Sequence, residues 1–149
     1  MREILILAGE ASGDLHGAAL AERLRELRPG LALTGTGGDR MAAAGVSLIE
    51  RVEGVVGFVE VLRHIPAHYR LLNRLRERLR GGSVGLVILI DYPGFNMRVA
   101  AAARAAGVPV LYYITPQVWA WRAGRLSTMA HVITKAAVIL PFEEDLLRA

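Results

Sequence analysis

No cysteine occurs among the 149 residues of this chain. That excludes disulfides and thiolate metal sites, and it permits a cytoplasmic setting. Lysine is nearly absent too: Lys135 is the only one, so arginine carries almost all of the cation behind a net charge of +4. Arginine favours forked contact with phosphate and carboxylate, although a GC-rich coding bias accounts for most of the surface. A basic RNA motif studded with aromatics is missing, which argues against nucleic acid as a partner. Apolar runs stay short of bilayer length. The opening run from Met1 to Gly9 soon meets Glu10 and Asp14, so it reads as a first strand rather than a signal peptide.

What is present is 53% apolar and 21% charged residues, enough for one folded domain over 1–149 with a real core. Short apolar runs alternate with helical patterns. Expected strands are Glu3–Ala8, Leu31–Thr34, Val46–Ile49, Val84–Ile90, Val108–Ile114 and Ala136–Leu140. A helix is expected from just after Asp14 to about Arg28, with Leu20, Leu24 and Leu27 on its apolar face. Others are expected at Asp39–Ala44, at Val55–Ile65 with Pro66 as a break, and at Ala67–Arg80 with a Leu72, Leu75, Leu79 stripe. An alanine-rich helix reaches Ala106, one follows the last aromatic segment to about His131, and one starts at Pro141. This order predicts an α/β fold, a Rossmann-like parallel sheet with helices on both faces.

Aromatic residues make up only 6% of the chain, so their clustering is informative. Two tyrosines and both tryptophans fall in Tyr112-Tyr-Ile-Thr-Pro-Gln-Val-Trp-Ala-Trp-Arg122, with Arg125 just beyond, at one strand exit. Strand exits are where open α/β sheets bind ligands, and rings with a forked cation suit a sugar, an acyl chain or a phosphate. Gly9-Glu-Ala-Ser-Gly-Asp14 joins the first strand to its helix. It is neither the dinucleotide fingerprint nor a P-loop, so neither a nicotinamide cofactor nor ATP is expected. Ser12 or Asp14 serves there as a helix cap, a contact to ligand hydroxyls, or both. Gly35-Thr-Gly-Gly38 reads as a turn into a helix, where Asp39 and Arg40 can pair with each other as easily as with a ligand.

Asp91 is the leading catalytic candidate. It follows a buried strand at a Pro-Gly turn, where partial desolvation raises a carboxyl pKa and suits a general base toward a sugar hydroxyl. Capping the next helix is the alternative, a task that Asn96 could share. His16, His64, His68 and His131 do not have metal-ligand spacing, so no metal is assigned; His64 and His68 are expected on a solvated face. No Gly-x-Ser-x-Gly elbow occurs. Val55, Val56, Phe58, Val59 and Leu62 make one helix apolar almost all round. That suits burial against core or partner, or an acyl-chain or membrane contact.

Six ordered blocks carry a resemblance: Gly9-Glu-Ala-Ser-Gly-Asp14, Gly-Gly-Asp-Arg-Met41, Gly57-Phe-Val-Glu-Val-Leu62, Asp91-Tyr-Pro-Gly-Phe-Asn96, Tyr113-Ile-Thr-Pro-Gln-Val-Trp-Ala-Trp-Arg122 and Leu140-Pro-Phe-Glu143. Together they closely resemble the N-terminal half of the lipid-A-disaccharide synthases, across essentially the whole chain. The resemblance implies a two-domain GT-B glycosyltransferase that needs neither cofactor nor metal. It joins UDP-2,3-diacylglucosamine to 2,3-diacylglucosamine 1-phosphate through a β-1,6 bond and releases UDP. Asp91 matches the acidic catalytic position. Glu10, Ser12 and Asp14 would line the cleft, and Asn96 would support the Asp91 turn. Gln117, Trp119 and Trp121 would shape the acceptor or interdomain surface, with Arg122 and Arg125 as phosphate partners. The implied location is cytoplasmic, peripheral on the inner face of the inner membrane. Thr115, Asp39 and Val56 depart from residues usual in the family, and Asp39 speaks against an anion role for its loop. The family's chains continue into a UDP-sugar domain of similar size, so the 149 residues alone are expected to be inactive. Another GT-B enzyme of the cell envelope and a stand-alone module binding anionic lipid are the alternatives.

Overall fold

A computed structural model describes residues 2–9, 11–51, 58–90, 93–113 and 135–137; of 11, 58–67, 93 and 135–137 it describes the backbone. Six strands form one sheet: β1 (Glu3–Ala8), β2 (Leu33–Gly37), β3 (Ser47–Arg51), β4 (Val84–Ile90), β5 (Val110–Tyr113) and β6 (Lys135–Ala137). Every pairing is parallel and the order is β3-β2-β1-β4-β5-β6. Among the described residues four helices connect them: α1 (Ala11–Leu27), α2 (Asp39–Ala43), α3 (Phe58–Arg80) and α4 (Pro93–Ala105). This is the doubly wound Rossmann order, in which the winding reverses between β1 and β4.

The two faces of the sheet have separate cores. On one, Ile6, Leu33, Ile88 and Ile90 meet Ala18 and Ala21 of α1 and Met41 of α2. On the other, Leu5, Leu7, Val87 and Leu89 meet Leu72, Leu75 and Leu79 of α3 and Val99 and Ala103 of α4. Alternating strand residues thus serve opposite layers, which is why β1 from Ile4 onward and β4 carry no charged side chain.

Several elements differ from expectation. Helix α1 starts at Ala11, and its sheet-facing residues are small: a Cβ on Gly13 would lie 3.1 Å from Ala8 Cβ, and one on Gly17 only 2.6 Å from Met41 Sδ. Close approach displaces the leucine stripe, so Leu20 and Leu24 are half-buried and Leu27 is exposed. Residues Gly35–Gly37 are strand rather than turn, because a Cβ at Gly35 would run into the Ile6 carbonyl of the neighbouring strand. Strand β3 starts later and runs longer than its apolar residues suggest. Helix α3 continues through Pro66. Proline deletes one N–H rung, and a helix of 23 residues survives that loss when its core-facing stripe is intact. Helices α2 and α4 end alike: Gly45 N–H reaches Ala42 O and Val46 N–H reaches Met41 O, while Gly107 N–H reaches Arg104 O and Val108 N–H reaches Ala103 O. Positive φ at Gly45 (99°) and Gly107 (75°) permits that reversal.

The N-terminal edge of the sheet holds a partly buried ion cluster. Arg78 Nε and Nη2 donate to the two Glu3 carboxylate oxygens at 2.6 and 2.9 Å. Thr34 and Ser83 hydroxyls donate to the same carboxylate, both at 3.1 Å. The Arg78 hydrogen bonds hold the Glu3 carboxyl below its ordinary pKa against the opposing effect of burial, and they raise that of Arg78.

Candidate functional site

Parallel strands that wind in opposite directions from β1 and β4 leave a crevice at their C-terminal ends, because the loops there diverge to opposite faces. Here β1 and β4 end level, with Ala8 opposite Ile90, and Tyr113 of β5 lies opposite Ile90 on its other side. The segments beginning at Gly9 and at Asp91 therefore leave the sheet from adjacent positions. Glu10, Asp91, Gln117, Trp119, Trp121, Arg122 and Arg125 lie outside the described residues, as do Val55 and Val56. Phe58, Val59 and Leu62 fall in the first turns of α3.

The described residues at this edge form a buried polar frame. Asn96, buried in the first turns of α4, donates through Nδ2 to Ile90 O at 3.3 Å and to Leu7 O at 3.4 Å. One side chain thus grips the ends of both central strands. Thr36 of β2 donates its hydroxyl to Ala8 O at 3.1 Å, adding the third strand. Asp14 reaches out of its own helix: its carboxylate accepts the N–H of Gly38 (2.7 Å), Met41 (3.0 Å) and Arg40 (3.1 Å). It caps α2, where unbonded N–H groups and the helix dipole favour a negative charge. Ser12 is exposed at the start of α1.

The structure therefore brings Asp14 and Asn96 to the expected edge and gives both backbone partners. Asp39 pairs with Arg51 rather than with Arg40. His68 is half-buried rather than solvated, its ring 5.5 Å from that of Phe95. Thr36 carries no distinct signal in the sequence, because its glycine neighbours make a strand resemble a turn. Among the described residues no three His, Asp or Glu side chains converge in a way that could hold a metal ion. Nor is any described helix long and apolar enough to cross a membrane.

The family model for lipid-A-disaccharide synthetase matches residues 4–149. The lipid-A-disaccharide synthase of Geobacter sulfurreducens is 52% identical over 142 residues, covering 94% of this chain and 37% of its own length. That of Geobacter metallireducens is 49% identical, with 95% and 38% covered. A more distant relative, from Coxiella burnetii, is 43% identical, with 97% and 39% covered. The chain thus spans under two fifths of the length of these relatives.

Proposed function

This chain belongs to the lipid-A-disaccharide synthase family, and from that premise we propose that it is the acceptor-side domain of a lipid A glycosyltransferase. A second domain of similar size holds the nucleotide sugar in this reading. The reaction joins UDP-2,3-diacylglucosamine to 2,3-diacylglucosamine 1-phosphate. Asp91 is the general base. It takes the proton of the acceptor 6-hydroxyl, and the oxygen attacks the donor's anomeric carbon from the face opposite UDP. The bond to UDP breaks and a β-1,6 linkage forms with inversion.

The observation that carries this reading is the level ending of β1 and β4 at the winding reversal. It gives the segments that begin at Gly9 and Asp91 a common origin. Asn96 fastens both strand ends. A general base contributes only when held within hydrogen-bond reach of its proton, so a stiff origin matters. Glu10 and Ser12 contact acceptor hydroxyls, and Asp14 holds the α2 wall. Gln117, Trp119 and Trp121 form the acceptor wall, with Arg122 and Arg125 on the 1-phosphate. Val55, Val56, Phe58, Val59 and Leu62 meet acyl chains at the inner face of the membrane.

The test is Asp91→Asn in a transferase-competent protein that contains this chain. UDP release falls by about a thousandfold, within the range ascribed to general-base catalysis, while acceptor binding is retained. Undiminished turnover would remove Asp91 from the mechanism. Loss of acceptor binding would make it a binding residue instead.

A further inference from the structure

The two helix layers differ sharply in charge. Helices α3 and α4 carry eight arginines against two glutamates, whereas α1 and α2 carry three arginines against four acids. Between α3 and α4 lies a half-open cavity of about 390 Å³, walled by Arg76, Arg80 and Arg98 and floored by Ala101, Ala102, Ala105 and Ala106. Helices α3 and α4 both end just before a strand begins. The Arg80 and Ala106 end of the groove therefore lies at the N-terminal edge of the sheet, opposite the strand exits.

Described ion pairs involve Arg23, Arg51, Arg74 and Arg78, and among the described residues no carboxylate pairs with the three groove arginines. Arg76 and Arg80 stand at i and i+4, a spacing at which like charges repel. Arg98 is held over the Tyr69 ring at 5.5 Å, and Arg76 donates to Asn73 Oδ1 at 3.4 Å. Alanines leave the space between the cations open. A cavity of this size takes a small organic ligand, and guanidinium forks with no carboxylate partner among the described residues match phosphate oxygens.

We propose that the α3–α4 groove is a second binding site, for a phosphate ester, separate from the transfer site and independent of its reading. Arg76, Arg80 and Arg98 hold the phosphate, and the alanine floor receives the apolar part of the ester. A free phosphate ester and a phospholipid headgroup present the same chemistry, and the test separates them.

The purified chain is titrated with inorganic phosphate by calorimetry. It is also co-sedimented with phosphatidylcholine vesicles, with and without phosphatidylglycerol. Arg76→Gln with Arg80→Gln weakens binding by about tenfold or more, the scale of hydrogen bonds to charged groups. Ala105→Phe, which fills the groove without altering charge, weakens it as well. The control pair Arg70→Gln with Arg104→Gln removes the same charge outside the groove and leaves affinity within about twofold, the scale of exposed charges in general. Phosphate binding that meets this pattern identifies a free ester as sufficient, and pattern-dependent binding to phosphatidylglycerol vesicles alone identifies a headgroup. The proposal is overturned if neither probe binds, if the control pair matters as much as the groove pair, or if Ala105→Phe has no effect. Circular dichroism confirms that each variant is folded.

Discussion

At the scale of single residues, two carboxylates do structural work that their sequence neighbours do not announce. Asp14 sits in a loop-like motif that suggests ligand contact, yet its carboxylate accepts three N–H groups at the start of α2. We expect Asp14→Ala to lower unfolding free energy by about 2 kcal/mol, since it orphans three N–H donors, that of Met41 buried; urea unfolding measures this. Glu3 is the second case. Its carboxyl is held below its ordinary pKa by Arg78, so its stabilisation is complete above the unfolded carboxyl range and is lost as pH falls through the folded value. Arg78→Gln should cost about 1–3 kcal/mol at neutral pH, less than a fully buried pair because the guanidinium is partly exposed. In acid the deficit of Arg78→Gln should shrink, and a deficit independent of pH would mean that packing, not charge, is lost. Neither partnership is legible locally, because Glu3 and Arg78 are 75 positions apart and Asp14 reaches 24 to 27 positions onward.

At the scale of elements, pattern reading succeeds where burial is periodic and fails where packing is close. Strand β4 matches its expected bounds because its whole run is apolar. The Leu72, Leu75, Leu79 stripe of α3 is buried as its spacing requires, and Leu75→Ala should cost about 2–5 kcal/mol in a urea titration. Helix α1 behaves differently. Its contact residues are glycine and alanine, which carry weak hydropathic signal, so the leucines misdirect the choice of face. Gly17→Val should push α1 from the sheet against Met41 and Ile90, at about 1–3 kcal/mol. A stability unchanged in that variant would mean that α1 shifts freely. Pro66 misleads in the same way: proline is a local stop signal, and the tertiary packing of the leucine stripe overrides it.

At the scale of the whole molecule, the strand order places β1 and β4 at the centre, each flanked by strands on both sides and by helices on both faces. Their amides should exchange most slowly with solvent, and those of β3, a partly exposed edge, should exchange far sooner. Equal rates across the sheet would contradict this ranking. The α/β class, the apolar strands and the family are legible in the chain alone, because periodicity, unbroken apolar runs and ordered motif blocks are local properties. Only the tertiary structure decided that β1 and β4 are neighbours ending level, that Asn96 and Thr36 fasten those ends, and that arginines on two helices converge on one groove. Those outcomes depend on winding direction and interhelical distance, which come from packing between segments far apart in the chain.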